Sequence, residues 1–500
     1  MGAPYVVTGP AALALYSRDF SIADDAPLAD VVVRPADTAE VAAVVTIAGA
    51  HGCSIAVRGG GVSYTLGYVP SRSNTLLLDL SRMDAIHEVN TADLYATVGP
   101  GCTWKRADEA TRPHGLRPVM KGPISGEFAT VAGTASQSTG SAPMSTFLGL
   151  EVVLADARAV TTGSGAIVNA ASPFYRNHGP DLTGLFLGDS GAFGIKTRCT
   201  FALERIPAGV AFASVAFDTL SDMVAAMTAI ARSGIRCRQI GMDPLKNRTA
   251  TKVGAAEGLR VLGEVVRSAR SVVAGMKQAA AIAVAGRAVL DDVRWSLHLT
   301  VEDHDQLAAE RCLAALLPLV AAGRQIAPSV PIAMHGRPYS MRGVLGLDGQ
   351  RWLPIHGVFA LSRAAEVVRQ VEAFFAGHAD LLAAHAIEHS FIVVASGSSW
   401  LIEPMFYWFD SITPLHAQVL GAKAARFADI PPNPAARAAV RDLRNELALL
   451  LQRLGAVHSQ LGKFYDFGGG LQPQTYRLLT QIKDLLDARH TLNPGNLGWS

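Results

Sequence analysis

The order of apolar and polar residues predicts a strand, a helix and a second strand near the start of the chain. Residues 31–33 are three consecutive valines. Within residues 38–51 the apolar side chains recur at helical spacing, with Thr38 as the expected N-cap and Gly52 as the expected C-cap. Residues 55–57 form the next apolar run and predict a strand that leads directly into a run of glycines.

Similar patterns continue along the 500 residues and predict a chain of mixed strands and helices. From residue 208 onward, short β-rich runs alternate with helices rich in Ala and Leu, which favours a sheet covered by helices. The predicted fold class is therefore α+β, in two domains. Strands are predicted at 75–80, 95–98, 148–155, 196–203, 210–217 and 295–301, and helices at 104–111, 223–231, 305–322, 363–376, 435–454 and 475–489.

The stretch Arg58-Gly59-Gly60-Gly61-Val62-Ser63 directly follows the strand at 55–57. Consecutive glycines let the backbone approach a ligand closely and point successive N–H groups at it, as a pyrophosphate requires. A nicotinamide-binding fold carries its glycines after the first strand of the unit, whereas these follow the second. The position therefore favours a phosphorylated ligand and disfavours a nicotinamide enzyme.

Composition excludes several classes of protein. Hydrophobic residues make up 49% of the chain and charged residues 17%, which is typical of globular domains, and the net charge of +2 gives no indication of a nucleic-acid partner. The five cysteines are scattered without a C-x-x-C pair, so neither a zinc site nor a disulfide framework is predicted. A reducing cytoplasm is the expected compartment.

The sequence predicts neither a signal peptide nor a transmembrane span. The N-terminus lacks a basic region followed by a long apolar core. Residues 271–290 are rich in Ala and Val, but Lys277, Gln278 and Arg287 interrupt them before the roughly 18 apolar residues of a span are reached. An ordinary helix is predicted there, with peripheral contact to a membrane surface or a partner subunit as the alternative.

Two further regions of small residues complete a family pattern. Residues 122–143 are mostly small or hydroxylated, which suits packing against a planar ligand, and a glycine cluster occupies residues 187–195. Taken in order, six elements resemble the FAD-binding oxidoreductases of the vanillyl-alcohol oxidase and p-cresol methylhydroxylase superfamily, closest in type to the D-lactate and glycolate-oxidase-like members. They are Val-Arg-Pro before a helix, Arg58-Gly-Gly-Gly with Ser63, Gly133-Thr134, the strand at 149–156, Asp181-Leu-Thr-Gly-Leu-Phe with the glycines to 194, and Leu492-Asn-Pro-Gly495.

The resemblance implies an FAD-binding domain at residues 1–207, a substrate-binding cap domain at 208–460 and a C-terminal return to the FAD-binding domain at 461–500. The pyrophosphate would lie on the first glycine run, the isoalloxazine and ribityl groups along the small-residue region, and the adenosine half near residues 194–195. The implied cofactor-binding residues are Arg58, Gly59, Gly60, Gly61, Val62, Ser63, Pro123, Thr130, Gly133, Ser136, Gly140, Ser141, Gly194, Ile195 and Asn493.

The attachment of the flavin is expected to be non-covalent. Many relatives attach FAD through a His directly after the glycine pair, and Val62 occupies that position here. A second attachment point in relatives, a Cys in the small-residue region, is also missing. A cap-domain His is the alternative attachment point.

No catalytic metal is predicted. Superfamily members that oxidise D-2-hydroxy acids usually carry His-x-Gly-Asp-Gly-Asn-x-His and a downstream Glu-His-Gly, which bind a divalent metal. The corresponding residues here are 394–404, without either histidine, and 456–459, where only His458 of the motif is present. One imidazole cannot replace a site of three ligands.

Substrate-binding and catalytic residues are expected in the cap domain and near the return. Strand alternation places Glu403, Met405 and Tyr407 on one face, where a carboxylate and a phenol would line a pocket. Arg337 is the candidate anchor for a substrate carboxylate, with Arg351 as a further arginine nearby.

Oxidation of an alcohol by a flavin needs a base within hydrogen-bond reach of the hydroxyl group. A histidine suits this role because its pKa lies near neutrality. His458 is the first candidate, because it lies among polar residues just before the return, followed by His356 and His389.

Three functions follow from these residues. The first is oxidation of a small D-2-hydroxy acid such as D-lactate, with electrons passed to oxygen or to a carrier. The second is oxidation of a phenolic or aryl alcohol, for which Tyr339, Tyr407 and Tyr465 would stabilise a phenolate. The third is a non-catalytic flavoprotein subunit of a glycolate-oxidase-like complex. A homo-oligomer is compatible with all three.

Overall fold

The computed structural model describes residues 2–139, 144–170, 172–251, 290, 292–339 and 344–499, together with a few positions between 252 and 289. The predicted Ala- and Val-rich helix at 271–290 therefore falls largely outside the described residues, as do Gly140 and Ser141. The chain divides into two compact units. Unit 1 comprises Met1–Ile206, Tyr339–Arg342 and His458–Ser500, and unit 2 comprises Pro207–Pro338 and Gly343–Val457.

Unit 1 contains two sheets. In the first, β1 (Val6–Val7), β2 (Val31–Val33), β4 (Thr75–Asp79) and β3 (Ser54–Arg58) lie side by side in that order, with β2, β4 and β3 parallel. The second is antiparallel, in the order β5 (Ile86–Asn90), β6 (Tyr95–Val98), β10 (Ile195–Arg205), β8 (Phe147–Val153) and β9 (Ala159–Thr161), and β7 (Leu116–Pro118) also pairs with β10.

The helices of unit 1 begin where the sequence offers capping side chains. Asp37, and not the predicted Thr38, is the N-cap of the first long helix, because its carboxylate accepts a hydrogen bond from the Glu40 N–H at 2.8 Å. Likewise His51 takes the C-cap position predicted for Gly52. The helices are α1 (Pro10–Tyr16), α2 (Thr38–Ala50), α3 (Trp104–Thr111), α4 (Val131–Gln137), α5 (Leu182–Leu185), and, after unit 2, α14 (Phe467–Gly470) and α15 (Pro473–Leu486).

The core of unit 1 is built on the second sheet. Trp104 is fully buried, and its ring centroid lies 6.4 Å from that of Phe147 and 5.6 Å from that of Phe201. Burial of one such Phe stabilises a fold by about 1.5–3 kcal/mol. This core holds β8 and β10 together, and the loops that lead into these strands carry the small-residue regions identified from the sequence.

Unit 2 is an antiparallel sheet with helices. Its strands run in the order β14 (Arg324–Ile326), β11 (Gly209–Phe217), β13 (Trp295–Asp303), β12 (Arg238–Met242), β17 (Glu388–Ser396), β18 (Ser399–Trp408) and β15 (Arg351–Pro354), and β16 (Gly357–Ala360) also pairs with β18. Its helices are α6 (Leu220–Arg232), α7 (Pro244–Thr251), α8 (Gln306–Leu316), α9 (Ser329–Gly336), α10 (Ala364–Gly377), α11 (Ala379–Ala384), α12 (Pro414–Leu420) and α13 (Pro434–Arg453). The predicted α+β class is confirmed.

Two predicted helices end earlier than expected. The helix predicted at 305–322 stops at Leu316 and continues as a 3-10 turn, because Pro318 has no N–H to extend the α-helical hydrogen bonding. The helix predicted at 475–489 ends at Leu486, because Asp487 leaves helical geometry (φ −151°) and its carboxylate accepts hydrogen bonds from Thr491 and Leu492 N–H.

Candidate functional site

A cavity of about 930 Å³, measured out to its open mouth, lies within unit 1. The turn after β3, the segment around α4, the loop before β10 and the C-terminal return all contribute to its wall. The lining residues are Val57, Gly59–Ser63, Tyr64, Gly67, Tyr68, Leu80, Pro100, Pro123, Ser125, Ala129, Thr130, Ala132–Thr134, Ser136, Gln137, Thr139, Ser190, Gly191, Gly194–Lys196, Gln460 and Asn493.

The turn after β3 leaves little room for side chains. A Cβ on Gly60 would collide with the backbone carbonyl of Phe128, and one on Gly59 would lie 2.7 Å from the Thr130 hydroxyl. Gly61 has φ +75°, in the left-handed region that side chains disfavour. The backbone of the turn therefore packs directly against the backbone of the segment before α4. The glycines leave the surface that faces the cavity free of side chains.

The segment around α4 presents small and hydroxylated residues to the cavity. Thr130 is the N-cap of α4, and its hydroxyl accepts a hydrogen bond from the Gly133 N–H at 3.0 Å. Trp104 Nε1 donates to the Thr134 hydroxyl at 2.8 Å, which holds the helix against the core. Among the described atoms, Gln137 Oε1 is buried with no hydrogen-bond partner. A buried amide oxygen of this kind is costly unless a ligand supplies a donor.

The C-terminal return closes the cavity through Asn493. Its Oδ1 accepts a hydrogen bond from Val57 N–H at 2.8 Å, and its Nδ2 donates to the Gly191 carbonyl at 2.8 Å. The residue is 2% exposed and has φ +44°, a conformation that Asn tolerates better than most residues. One side chain thus links β3, which leads into the first glycine turn, to the loop that carries the second glycine cluster.

Three comparisons place this arrangement among known proteins. A family model described as an FAD binding domain matches residues 29–163. A D-lactate dehydrogenase of Archaeoglobus fulgidus is 29% identical over 248 residues, or 46% of this chain and 53% of the relative. Glycolate oxidase subunit GlcD of Bacillus subtilis is 30% identical over 211 residues, or 39% of this chain and 43% of the relative. The chain thus spans about half the length of the curated relatives it matches.

The fold is that of a solved flavoprotein. A crystal structure of p-cresol methylhydroxylase with substrate bound aligns with a TM-score of 0.74 at 17% identity, covering 100% of this chain and 95% of the other. The chain carries an FAD-binding domain at residues 29–163 and has the fold of p-cresol methylhydroxylase. The predicted resemblance to FAD-linked oxidoreductases and the predicted cofactor, FAD, are confirmed.

The cavity of this FAD-binding domain fits the cofactor chemically. Side chains are excluded from the first glycine turn, so its backbone N–H groups can face a pyrophosphate. The partnerless Gln137 Oε1 is an acceptor of the kind that a flavin N–H would satisfy. The hydroxyls of Ser63, Thr130 and Ser136 add polar groups along the wall.

Of the predicted FAD-binding residues that the structure describes, all lie in this lining except Arg58. The lining contains Gly59, Gly60, Gly61, Val62, Ser63, Pro123, Thr130, Gly133, Ser136, Gly194, Ile195 and Asn493. Arg58 is outside it and is 6% exposed, with its guanidinium 3.6 Å from Asp79 and 5.0 Å from the Tyr16 ring centroid. Its side chain thus pairs with Asp79 and does not contribute to the cavity lining.

The predicted bases occupy different surroundings. His458 belongs to unit 1, where its ring stacks on Tyr465 with centroids 4.1 Å apart, and Gln460 of the same segment lines the cavity. His356 is 5% exposed in unit 2. His389 stacks on Phe375 of α10 at 4.1 Å, and burial lowers its pKa. His389 therefore packs on the helix-covered face of its sheet.

The two arginine candidates also lie in different surroundings. Arg351 is 3% exposed, and its guanidinium lies 3.1 Å from Asp410 and over the Trp408 ring. Although burial opposes it, hydrogen bonds from Arg437 and a backbone N–H lower the pKa of Asp410 to about 2. Arg351 thus forms a buried ion pair with Asp410 within unit 2. Arg337 is half-buried at the C-cap of α9.

Glu403 and Tyr407 lie on one face of β18, as the alternation predicts. Phe406 packs against Phe375 of α10 with ring centroids 5.6 Å apart, so the odd-numbered residues of this strand face the other side of the sheet. Burial raises the pKa of the Glu403 carboxyl to about 7, against the opposing charge of Lys246, and burial also raises the pKa of Tyr407.

Sequence reasoning missed two lysines. Lys463 Nζ donates to the Leu66 carbonyl at 2.9 Å beside the first glycine turn, and burial lowers its pKa to about 7. Lys246 Nζ donates to the Tyr407 hydroxyl at 2.5 Å in unit 2. No local motif marks either lysine, because each reaches its partner only through the tertiary fold.

Within the described ranges, no helix is long and apolar enough to cross a membrane.

Proposed function

We propose that this chain is an FAD-dependent oxidoreductase that removes a hydride from the CH–OH group of a small D-2-hydroxy acid, with D-lactate as the first substrate to test. The observation that carries the proposal is the FAD-binding domain, joined to relatives named D-lactate dehydrogenase and glycolate oxidase subunit. Electrons would pass to oxygen or to a carrier.

The proposed roles of the FAD-binding residues follow the cavity wall. The N–H groups of Gly59, Gly60 and Gly61 would hold the pyrophosphate together with the Ser63 hydroxyl. Gly133 and Ser136 would lie along the flavin, with Gly194 and Ile195 beside the adenosine half. When bound, FAD supplies the two-electron acceptor that no side chain can provide. Binding is proposed to be non-covalent, since Val62 has no nucleophilic atom.

His458 is the proposed base for the substrate hydroxyl. Its ring is held by stacking on Tyr465, and it belongs to the same unit as the cavity. An imidazole so held can accept the hydroxyl proton while the C–H bond gives up its hydride. His356 and Glu403 are the alternatives, and Glu403 is favoured among them by its pKa of about 7.

The proposal is tested by anaerobic stopped-flow absorbance near the flavin band at about 450 nm. D-lactate is expected to bleach the band, and L-lactate and vanillyl alcohol are not. His458→Ala is then expected to slow the bleaching by about 10²–10⁴-fold, the usual contribution of a general base. Bleaching by vanillyl alcohol alone would instead identify an enzyme that oxidises an aryl alcohol. A flavin that no substrate bleaches would favour a non-catalytic subunit.

A further inference from the structure

We propose that Lys246 and Tyr407 form a subsite for a small carboxylate anion in unit 2. This inference rests on the proposed function only for the class of anion, a carboxylate such as that of a 2-hydroxy acid. Lys246 Nζ lies within hydrogen-bond distance of the Tyr407 hydroxyl, at 2.5 Å. An ammonium and a phenol in contact can together donate to the two oxygens of one carboxylate.

Lys246 is held in place by the start of its helix. Asp243 precedes α7, and its Oδ1 accepts hydrogen bonds from Lys246 N–H at 2.8 Å and from the Ser390 hydroxyl at 2.8 Å. Its Oδ2 accepts a further hydrogen bond from Phe391 N–H at 3.2 Å. Because Asp243 fixes α7 to β17, the lysine side chain is directed over the neighbouring strand β18.

Two aromatic rings border the ammonium group. Lys246 Nζ is 5.6 Å from the Trp352 ring centroid and 5.3 Å from that of Tyr407. Cations are attracted to aromatic faces at such distances. Both Lys246 and Trp352 are half-buried, so part of their surface is accessible to a small solute.

The proton of Tyr407 is available for a better acceptor than the one it has. The hydroxyl oxygen accepts from Lys246, and it lies 3.8 Å from Met405 Sδ, to which it can donate. A thioether is a weak acceptor, whereas a carboxylate oxygen is a strong one. An anion at this position would therefore gain a charge-assisted hydrogen bond at little cost to the resident structure.

Two carboxyls lie near Lys246. Burial raises the pKa of Glu403 to about 7, and burial raises the pKa of Asp243 as well. Both groups therefore carry less negative charge than an ordinary pair of carboxylates would at the same pH.

Calorimetric titration of the FAD-loaded protein with oxalate tests the subsite, because oxalate is a small dicarboxylate with no C–H bond to oxidise. Lys246→Met is expected to raise the Kd for oxalate by about 10–100-fold, the range for a hydrogen bond to a charged group. Tyr407→Phe, which keeps the ring, is expected to raise it by a smaller factor. Lys423→Met, at an exposed lysine of unit 2, removes the same charge and is expected to change the Kd less than about twofold.

Several results would overturn the subsite. These are no oxalate binding by the unsubstituted protein, an unchanged Kd in Lys246→Met, or a loss of binding in Arg337→Gln alone. Binding of p-cresol in place of oxalate would show that the face takes a phenol. If Lys246→Met does not fold, Tyr407→Phe decides. Oxalate binding that depends on Lys246, in a protein whose flavin D-lactate does not bleach, would contradict the proposed substrate and leave the anion subsite standing.

Discussion

Gly60→Ala is expected to abolish stable FAD binding. The added Cβ would collide with the Phe128 carbonyl, and neither partner can move away as a flexible side chain could, because both are backbone. The turn after β3 and the segment before α4 would have to separate, which displaces the N–H groups proposed to hold the pyrophosphate. We expect the flavin content of the purified variant to fall at least about tenfold, since several charge-assisted hydrogen bonds are lost together.

The measurement is the ratio of absorbance at about 450 nm to that at 280 nm after incubation with excess FAD, followed by dialysis. Gly377→Ala is the matched control, because a Cβ at that position, the end of α10, meets no atom within 4 Å. It should retain full flavin content. A Gly60→Ala protein that binds FAD normally would show that the first glycine turn does not hold the cofactor.

Asn493→Ala is expected to destabilise unit 1 by about 3 kcal/mol, because it leaves the Val57 N–H and the Gly191 carbonyl buried without partners and adds strain at a positive φ. Flavin affinity should fall with stability, since both glycine-bearing segments lose their common link. Chemical denaturation of the two proteins, with and without FAD, gives both quantities.

Asn493→Gly separates the two contributions to this loss. Glycine accepts φ +44° without strain but removes the same hydrogen bonds, so it should recover only about 1 kcal/mol relative to alanine. A variant Asn493→Ala as stable as the unsubstituted protein would mean that the C-terminal return does not secure the cavity.

Much of the FAD-binding domain can be predicted from the sequence, because cofactor binding there depends on the backbone conformation that a run of glycines allows. A run of glycines after a buried strand has few structural uses, and residues 59–61 do form the wall of a cavity. Strand bounds such as Tyr95–Val98 and the helix Trp104–Thr111 match the predicted limits, since apolar periodicity determined them. The Arg58 side chain lies against Asp79, outside the cavity lining, because the direction of a side chain at a sharp turn is not specified by its neighbours in sequence.

The candidate substrate-binding and catalytic residues are much harder to predict from the sequence. Arg351 and His389 have the residue types of an anchor and a base, yet Asp410 and Phe375 pair with them inside unit 2. Lys246 was passed over because its partner, Tyr407, is far away in sequence and reaches it only when β18 and α7 lie together. Pairings of this kind follow from sheet order, which no local pattern specifies.

The central claim, that this chain is a flavoprotein with non-covalently bound FAD, is tested most directly by the absorption spectrum before and after acid precipitation. The account predicts a band near 450 nm in the native protein and a supernatant that holds all of the flavin, identified as FAD by its mass. Absence of the band after incubation with FAD would contradict the assignment of the cavity. Flavin retained in the precipitated protein would contradict non-covalent binding.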